Sequence, residues 1–155
     1  MERSLLDRIV DALKESGLEA KYLELELTES LIMQDVELAV ATMEELRRLG
    51  VKLSIDDFGT GYSSLSALKT FPVERLKIDM SFVDGLPADV NDKAVAGAVI
   101  SLGHKLKMRV IAEGVETDAQ AAFLRENNCD EMQGYLFSRP VPAQQIEQLL
   151  SSTPG

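Results

Sequence analysis

Histidine and cysteine are almost missing from this chain: His104 and Cys129 stand alone among 155 residues. A single cysteine makes no internal disulfide and no CxxC zinc pair. A single histidine argues against His-rich metal sites and a Ser-His-Asp triad. Tryptophan is absent and aromatics make up 5% of the chain, so the core, at 45% hydrophobic content, is aliphatic. No apolar run approaches membrane-spanning length. The opening MERSLLDRIVDAL is an amphipathic pattern carrying acids, not a signal peptide. These absences predict a protein of the reducing cytoplasm with no membrane insertion. Positive charge is scarce too: the formal net charge is −10 and no Lys/Arg run is long enough to track a phosphate backbone. Binding to duplex nucleic acid is therefore excluded. A small anion is still within reach if a metal ion or helix N-termini invert the local field.

The length suggests one domain, and strand-like and helix-like segments alternate along it. Leu5, Leu6, Ile9 and Leu13 recur at helical spacing until Gly17. Residues 22–27 read as a strand. A helix over 28–50 follows, with Thr28 and Ser30 as caps, a stripe of Val36, Ala39, Met43 and Leu46, and Gly50 as its stop. Residues 51–56 and 75–79 read as strands, separated by a short helix in SSLSALKTFP. Asn91 caps a helix carrying Val95, Val99, Leu102 and Leu106; residues 108–115 form a strand; Thr117 and Gln120 sit at capping-box spacing. Residues 131–137 form the last strand, and a final helix surrounds Ile146, Leu149 and Leu150. The fold class is α/β, with about five parallel strands alternating with helices. An open doubly wound sheet and a (β/α) barrel both satisfy this order, and both place their site at the carboxyl ends of the strands. We read one domain over residues 1–151 and a polar tail over 152–155.

Those strand ends are polar without exception. Glu26 ends the first; Asp56 and Asp57 end the second; Lys77 and Asp79, two apart, share a face of the third. Glu113 ends the fourth, with Glu116 just beyond, and the fifth carries Gln133. Any single one is explained by solvation; five in succession point to a site. Oxygen-only donors suit hard cations such as Mg²⁺ or Mn²⁺. Adjacent aspartates allow one carboxylate to bridge two ions, which in two-metal hydrolases lie roughly 3.5–4 Å apart. Gly59 and Gly61 allow a sharp turn after the aspartates, although an ordinary tight turn explains them equally well. Two apparent motifs fail. Asp57-Phe58-Gly59 has no accompanying kinase catalytic loop, and Gly59-Thr60-Gly61 lacks the Gly-Lys-Ser/Thr of a P-loop. His104, Cys129 and the methionines at 33, 43, 80, 108 and 132 read as ordinary helix, turn and packing residues.

LELELTES, SIDDFGTGYSSL, RLKIDMSFV, VIAEGVET and QGYLFSRPVP, in this order, closely resemble the EAL-domain family of bacterial cyclic-di-GMP phosphodiesterases. The resemblance runs from the first helix to about Leu150. It implies a TIM-like barrel with one strand reversed, and hydrolysis of cyclic di-GMP to pGpG using Mg²⁺ or Mn²⁺, two ions in a complete site. Carried over by position, it implies metal ligation by Glu26, by Asp56 as the bridging group, and by Asp57 and Glu113 on the second ion. It further implies that Lys77 holds the nucleophilic water, that Gln133 contacts water or metal, and that Glu29 braces the loop after Asp57. That loop, Phe58 to Phe71, is the family's regulatory and dimerising segment. Glu116 is implied to face the guanine edge.

One departure stands beside these matches: the chain contains no Glu-Ala-Leu triplet, whose Glu is a metal ligand in the family, and it lacks the strand that supplies an Asn ligand. A complete (β/α)₈ barrel takes about 250 residues. The resemblance thus covers the C-terminal portion of such a domain, truncated before its first strands. Five strands do not close a small barrel, and unpaired edges invite pairing. The expectation is a homo-oligomer, or complementation by a partner that supplies the missing strands. Two functions compete: a metal-dependent phosphodiesterase, and a non-catalytic degenerate module that binds cyclic di-GMP or a protein partner.

Overall fold

Residues 4–59 and 68–152 are described by a computed structural model of the chain. Five parallel strands form one sheet in chain order: β1 (Glu24–Thr28), β2 (Lys52–Phe58), β3 (Arg75–Ile78), β4 (Arg109–Ala112) and β5 (Glu131–Met132). Around them lie α1 (Leu5–Ser16), α2 (Glu29–Ile32), α3 (Val36–Arg48), α4 (Val90–Lys105), α5 (Asp118–Glu126) and α6 (Ala143–Ser152). The α/β class and the alternation of strands with helices are as expected from the sequence.

The sheet has two unlike faces, because successive side chains on a strand point to opposite sides. One face is aliphatic: Leu53, Ile55, Leu76, Ile78, Val110 and Ala112 pack with Ile9 of α1, Met43 and Leu46 of α3, Val99 and Ile100 of α4, and Leu124 of α5 in a single core cluster. The alternate positions, Glu24 and Glu26, Ser54 and Asp56, Arg75 and Lys77, Arg109 and Glu113, are polar. Ile111 interrupts that polar face; it is buried but stands outside the core cluster. Strand register aligns Glu26 with Ser54, Ser54 with Arg75, and Arg75 with Arg109, so the charges form rows across the sheet.

Several boundaries differ from the sequence reading. The helix expected over 28–50 is broken: Thr28 caps α2 by accepting from the Leu31 N–H, and Asp35 starts α3 by accepting from the Leu38 N–H. The cap of α4 is Asp89, whose carboxylate accepts from the Asn91 and Asp92 N–H groups; Asn91 lies inside the helix. β5 stops at Met132 instead of Phe137. The reason lies at Gly134, where a Cβ would meet the carbonyl oxygen of Val115 at 2.1 Å; there the chain turns across the end of β4. Leu136 N–H donates to that same Val115 carbonyl at 3.0 Å, which fastens the turn. The capping box of Thr117 and Gln120 is present, and Gly17 ends α1 in the left-handed region, φ 69°. Met80, 55% exposed, is not a packing residue, and Met33 is 36% exposed. The helix expected in SSLSALKTFP lies mainly outside the described residues.

Candidate active site at the carboxyl ends of the strands

Lys77 is the centre of the polar face. Its residue is 4% exposed, yet its Nζ donates to Glu26 Oε1 of β1 at 2.6 Å and lies 2.5 Å from Glu113 Oε1, just past β4. Asp56 Oδ1 of β2 stands 3.7 Å away. Burial works against the ammonium charge, but its hydrogen bonds to Glu113 and Glu26 and the nearby carboxylates more than reverse this and raise its pKa. Lys77 is therefore a held cation at any ordinary pH.

Asp57 sits beside this group in a conformation that few L-residues adopt, φ 54°. The β2–β3 register shifts here, between Ile55 and Phe58. Its N–H donates to Asp56 Oδ1 at 2.9 Å. Such a left-handed, non-glycine residue costs roughly 1–3 kcal/mol and clusters at functional sites. Partial burial, then the charges of Asp56 and Asp79, push the Asp57 pKa up. Burial pushes the Asp79 carboxyl up as well, but hydrogen bonds from Ser81 and Asp57 outweigh it and hold Asp79 low. Asp57 and Asp79 thus form a hydrogen-bonded carboxyl pair whose pKa values are pushed in opposite directions, Asp57 up and Asp79 down. The next turn is anchored from below: Gly59 N–H donates to Glu29 Oε2 at 3.1 Å, and Glu29 is buried.

On the other side of Glu113 lies an open cleft of about 300 Å³, lined by Met80, Glu113, Gly114, Glu116, Gln133 and Tyr135. Gln133, one residue past β5, is fixed by its backbone, which donates to Ala112 O at 2.8 Å and accepts from Val115 N–H at 3.0 Å. Glu116 N–H donates to the side chain of Gln120, 2.8 Å away.

The EAL domain family model matches residues 1–140. This chain belongs to the EAL domain family. It is 51% identical over 147 residues to the cyclic di-GMP phosphodiesterase NbdA of Pseudomonas aeruginosa, covering 95% of this chain and 19% of that protein. Its structure superposes on the PaMucR phosphodiesterase in complex with c-di-GMP with a TM-score of 0.89 at 46% identity, covering 92% of this chain and 57% of that one. It superposes also on a manganese and cyclic-di-GMP complex of Klebsiella pneumoniae BlrP1, TM-score 0.80 at 33% identity, over 87% and 34% of the two chains. The chain spans about a fifth of the length of the curated relatives it matches.

In this EAL domain the eight residues singled out from sequence fall into three places. Glu26, Asp56 and Glu113 gather on Lys77, with Asp57 adjoining; Glu116 and Gln133 line the cleft; Glu29 stands behind the Asp57–Gly59 turn. By donor chemistry the four carboxylates fit a hard divalent ion. Their present spacing answers to Lys77 instead: among the described residues no three His, Cys, Asp or Glu groups are arranged so as to hold a metal ion. Within the same face the Ser54 hydroxyl is buried and has no hydrogen-bond partner among the described residues.

Sequence reasoning passed over Asp79 as a partner of Asp57. It also missed the ion pairs one step down the strands: Arg75 with Glu24 and Glu131. The signal was available, since Glu24 and Arg75 lie two residues before Glu26 and Lys77 and so share their face. No described helix is long and apolar enough to cross a membrane.

Proposed function

We propose that this EAL domain is a metal-dependent phosphodiesterase that opens cyclic di-GMP to linear pGpG, with Mg²⁺ or Mn²⁺ as cofactor. The observation that carries the reading is the buried Lys77 ammonium, gripped by Glu26 and Glu113 at the strand ends and bordered by an open cleft. The similarity to the phosphodiesterases NbdA and PaMucR, and the manganese bound with cyclic di-GMP in BlrP1, support it. Glu26, Asp56, Asp57 and Glu113 would hold the ions. When bound, divalent ions supply Lewis acidity toward a phosphodiester and neutralise its charge.

The chain's own residues do the rest. Lys77 keeps its proton, so it does not act as a base; its ammonium favours the deprotonated form of an attacking water beside it. Attack on phosphorus breaks one of the two ring phosphodiester bonds; the 3′ oxygen leaves with a proton and the phosphate stays on the 5′ side. Gln133 orients that water from the cleft wall, and Glu116 accepts from a guanine edge. Glu29 keeps the Asp57 turn in place through the Gly59 N–H. Strands β1 and β5 are the edges of the described sheet, and a second copy or a partner strand pairs there.

A second reading, binding without turnover, is favoured by the two glutamates being spaced to hold the Lys77 ammonium, with no three acids among the described residues arranged to hold a metal ion. One experiment separates the two. Purified chain is incubated with cyclic di-GMP and MnCl₂ and the products are separated by chromatography. Formation of pGpG that disappears in Lys77→Ala upholds hydrolysis. Saturable binding without product upholds the second reading, and neither binding nor product removes both.

A further inference from the structure

Two tiers of charge are stacked on the polar face of the sheet. The upper tier is Glu26, Lys77 and Glu113. The lower tier lies nearer the start of the strands: Glu24 on β1 and Arg75 on β3 are two residues before Glu26 and Lys77, Arg109 on β4 is four before Glu113, and Glu131 on β5 is two before Gln133. Arg75 Nη1 reaches Glu24 Oε2 at 2.5 Å, and its Nη2 lies 3.4 Å from Glu131 Oε1. Arg109 Nη2 meets the same Glu131 oxygen at 3.2 Å.

The geometry of Arg75 is unusual because β1 and β5 are not neighbours. Three strands separate them in the sheet, yet one guanidinium on the middle strand contacts a carboxylate from each. A bond between adjacent strands adds little to what the backbone ladder already holds. A bond that joins the two outermost strands fixes how far the sheet curls around β3. That curl sets where Glu26 and Gln133, two residues further along β1 and the β5 extension, stand relative to Lys77, two residues further along β3. The side chains of Glu24, Arg75 and Glu131 are partly buried, so these pairs are less screened than ordinary surface pairs. Only arginine has a planar fork able to hold two carboxylates at once; lysine is a single point charge.

We propose that Arg75 is a positioning residue: by tying Glu24 to Glu131 it sets the curl of the polar face that brings Glu26 and Glu113 onto Lys77. Its consequence for catalysis rests on the phosphodiesterase reading above; its consequence for Lys77 does not.

The test compares wild type with Arg75→Lys, Arg75→Gln and Glu131→Gln. Thermal melting is followed together with the ¹H–¹⁵N signal of the Lys77 ζ-ammonium at one fixed pH, and with kcat and KM for cyclic di-GMP in MnCl₂. Arg75→Lys is expected to stay folded, to shift or broaden the Lys77 signal, and to lower kcat by about 10–100-fold, the usual effect of a lost outer support. KM should stay within about twofold, because substrate is not touched by Arg75. Glu131→Gln should move the same readouts in the same direction by less. If the variants lower only the melting temperature and leave the Lys77 signal and kcat as in wild type, Arg75 is a structural tie and the proposal is wrong. Should Arg75→Gln fail to fold, the two milder variants decide. If the wild-type chain shows no turnover, the phosphodiesterase reading fails by itself, and the Lys77 signal still decides: an unchanged signal overturns the proposal and a shifted one upholds it.

Discussion

Replacing Lys77 with methionine removes one charge and little volume, which makes it a clean probe of the site. Wild-type Lys77 stands within 4.0 Å of three carboxylates, at 2.5, 2.6 and 3.7 Å. One unit-charge pair at such distances is worth about 4 kcal/mol at an effective dielectric of 20 and about 1 in bulk water. Breaking a fully buried pair from one side costs about 3–5 kcal/mol, because the other charge is left stranded. Here the carboxylates are not fully buried: the side chains of Glu26 and Glu113 are 49% and 23% exposed. They can turn to water, and the loss shrinks to about 2 kcal/mol. For a chain of this size that is about 4–8 °C in Tm. The assay is thermal melting with and without MnCl₂. Without metal, Lys77→Met should melt lower than wild type. With metal, the variant should gain more than wild type, since a divalent ion no longer competes with an ammonium for Glu26 and Glu113. A variant that melts at or above the wild-type temperature without metal would show that the three carboxylates do not depend on Lys77. The account of the site would then be wrong.

Other outcomes follow from single features. Burial pushes the Cys129 thiol up to about 11, so iodoacetamide at pH 8 should label the native chain slowly and the urea-unfolded chain fast. Because the unfolded thiol ionises near its ordinary value of 9.0 and the folded one resists, Cys129 removes stability as pH rises through that window; Cys129→Ala should flatten the alkaline limb of a stability–pH curve. At the other end, burial opposes the Asp130 charge. Its bonds from Val110 N–H and His104, both 2.8 Å, outweigh this and hold its carboxyl below its ordinary value. Its contribution is present above the unfolded pKa of 3.8 and is lost as pH falls through the lowered one. Asp130→Asn should therefore lose stability at neutral pH and weaken the acid dependence, as read by urea titration. Thr117→Ala removes half of a capping box and should cost about 1 kcal/mol by the same measurement.

What could be read from residues alone was what depends on local order. Apolar spacing at 3.6 or 2 residues, stop glycines and the Thr117–Gln120 box report on neighbours in the chain, and they located every described strand and most helices. They also marked which residues end each strand, so Glu26, Asp56, Asp57, Lys77 and Glu113 could be named before any fold was known. Short-range signals failed where distant backbone decided. β5 ends early because residue 134 must pass against the Val115 carbonyl, and nothing near Gly134 in the chain announces Val115. The helix expected over 28–50 splits because Asp35 outcompetes the run of helix formers around it.

Charge partnership lay still further from the sequence. Pattern placed the acids and Lys77 at one rim, but not that Glu26 and Glu113 would both close on its ammonium, nor that Asp57 would pair with Asp79. Those are contacts between residues 51 and 36 positions apart in the first pair of bonds, made when parallel strands align in register. Sequence determines which face each side chain takes, because the pleat alternates with fixed period. Only the folded sheet, through its register and curl, determines which of the side chains on that face touch. The Arg75 tie between β1 and β5 exists for no other reason.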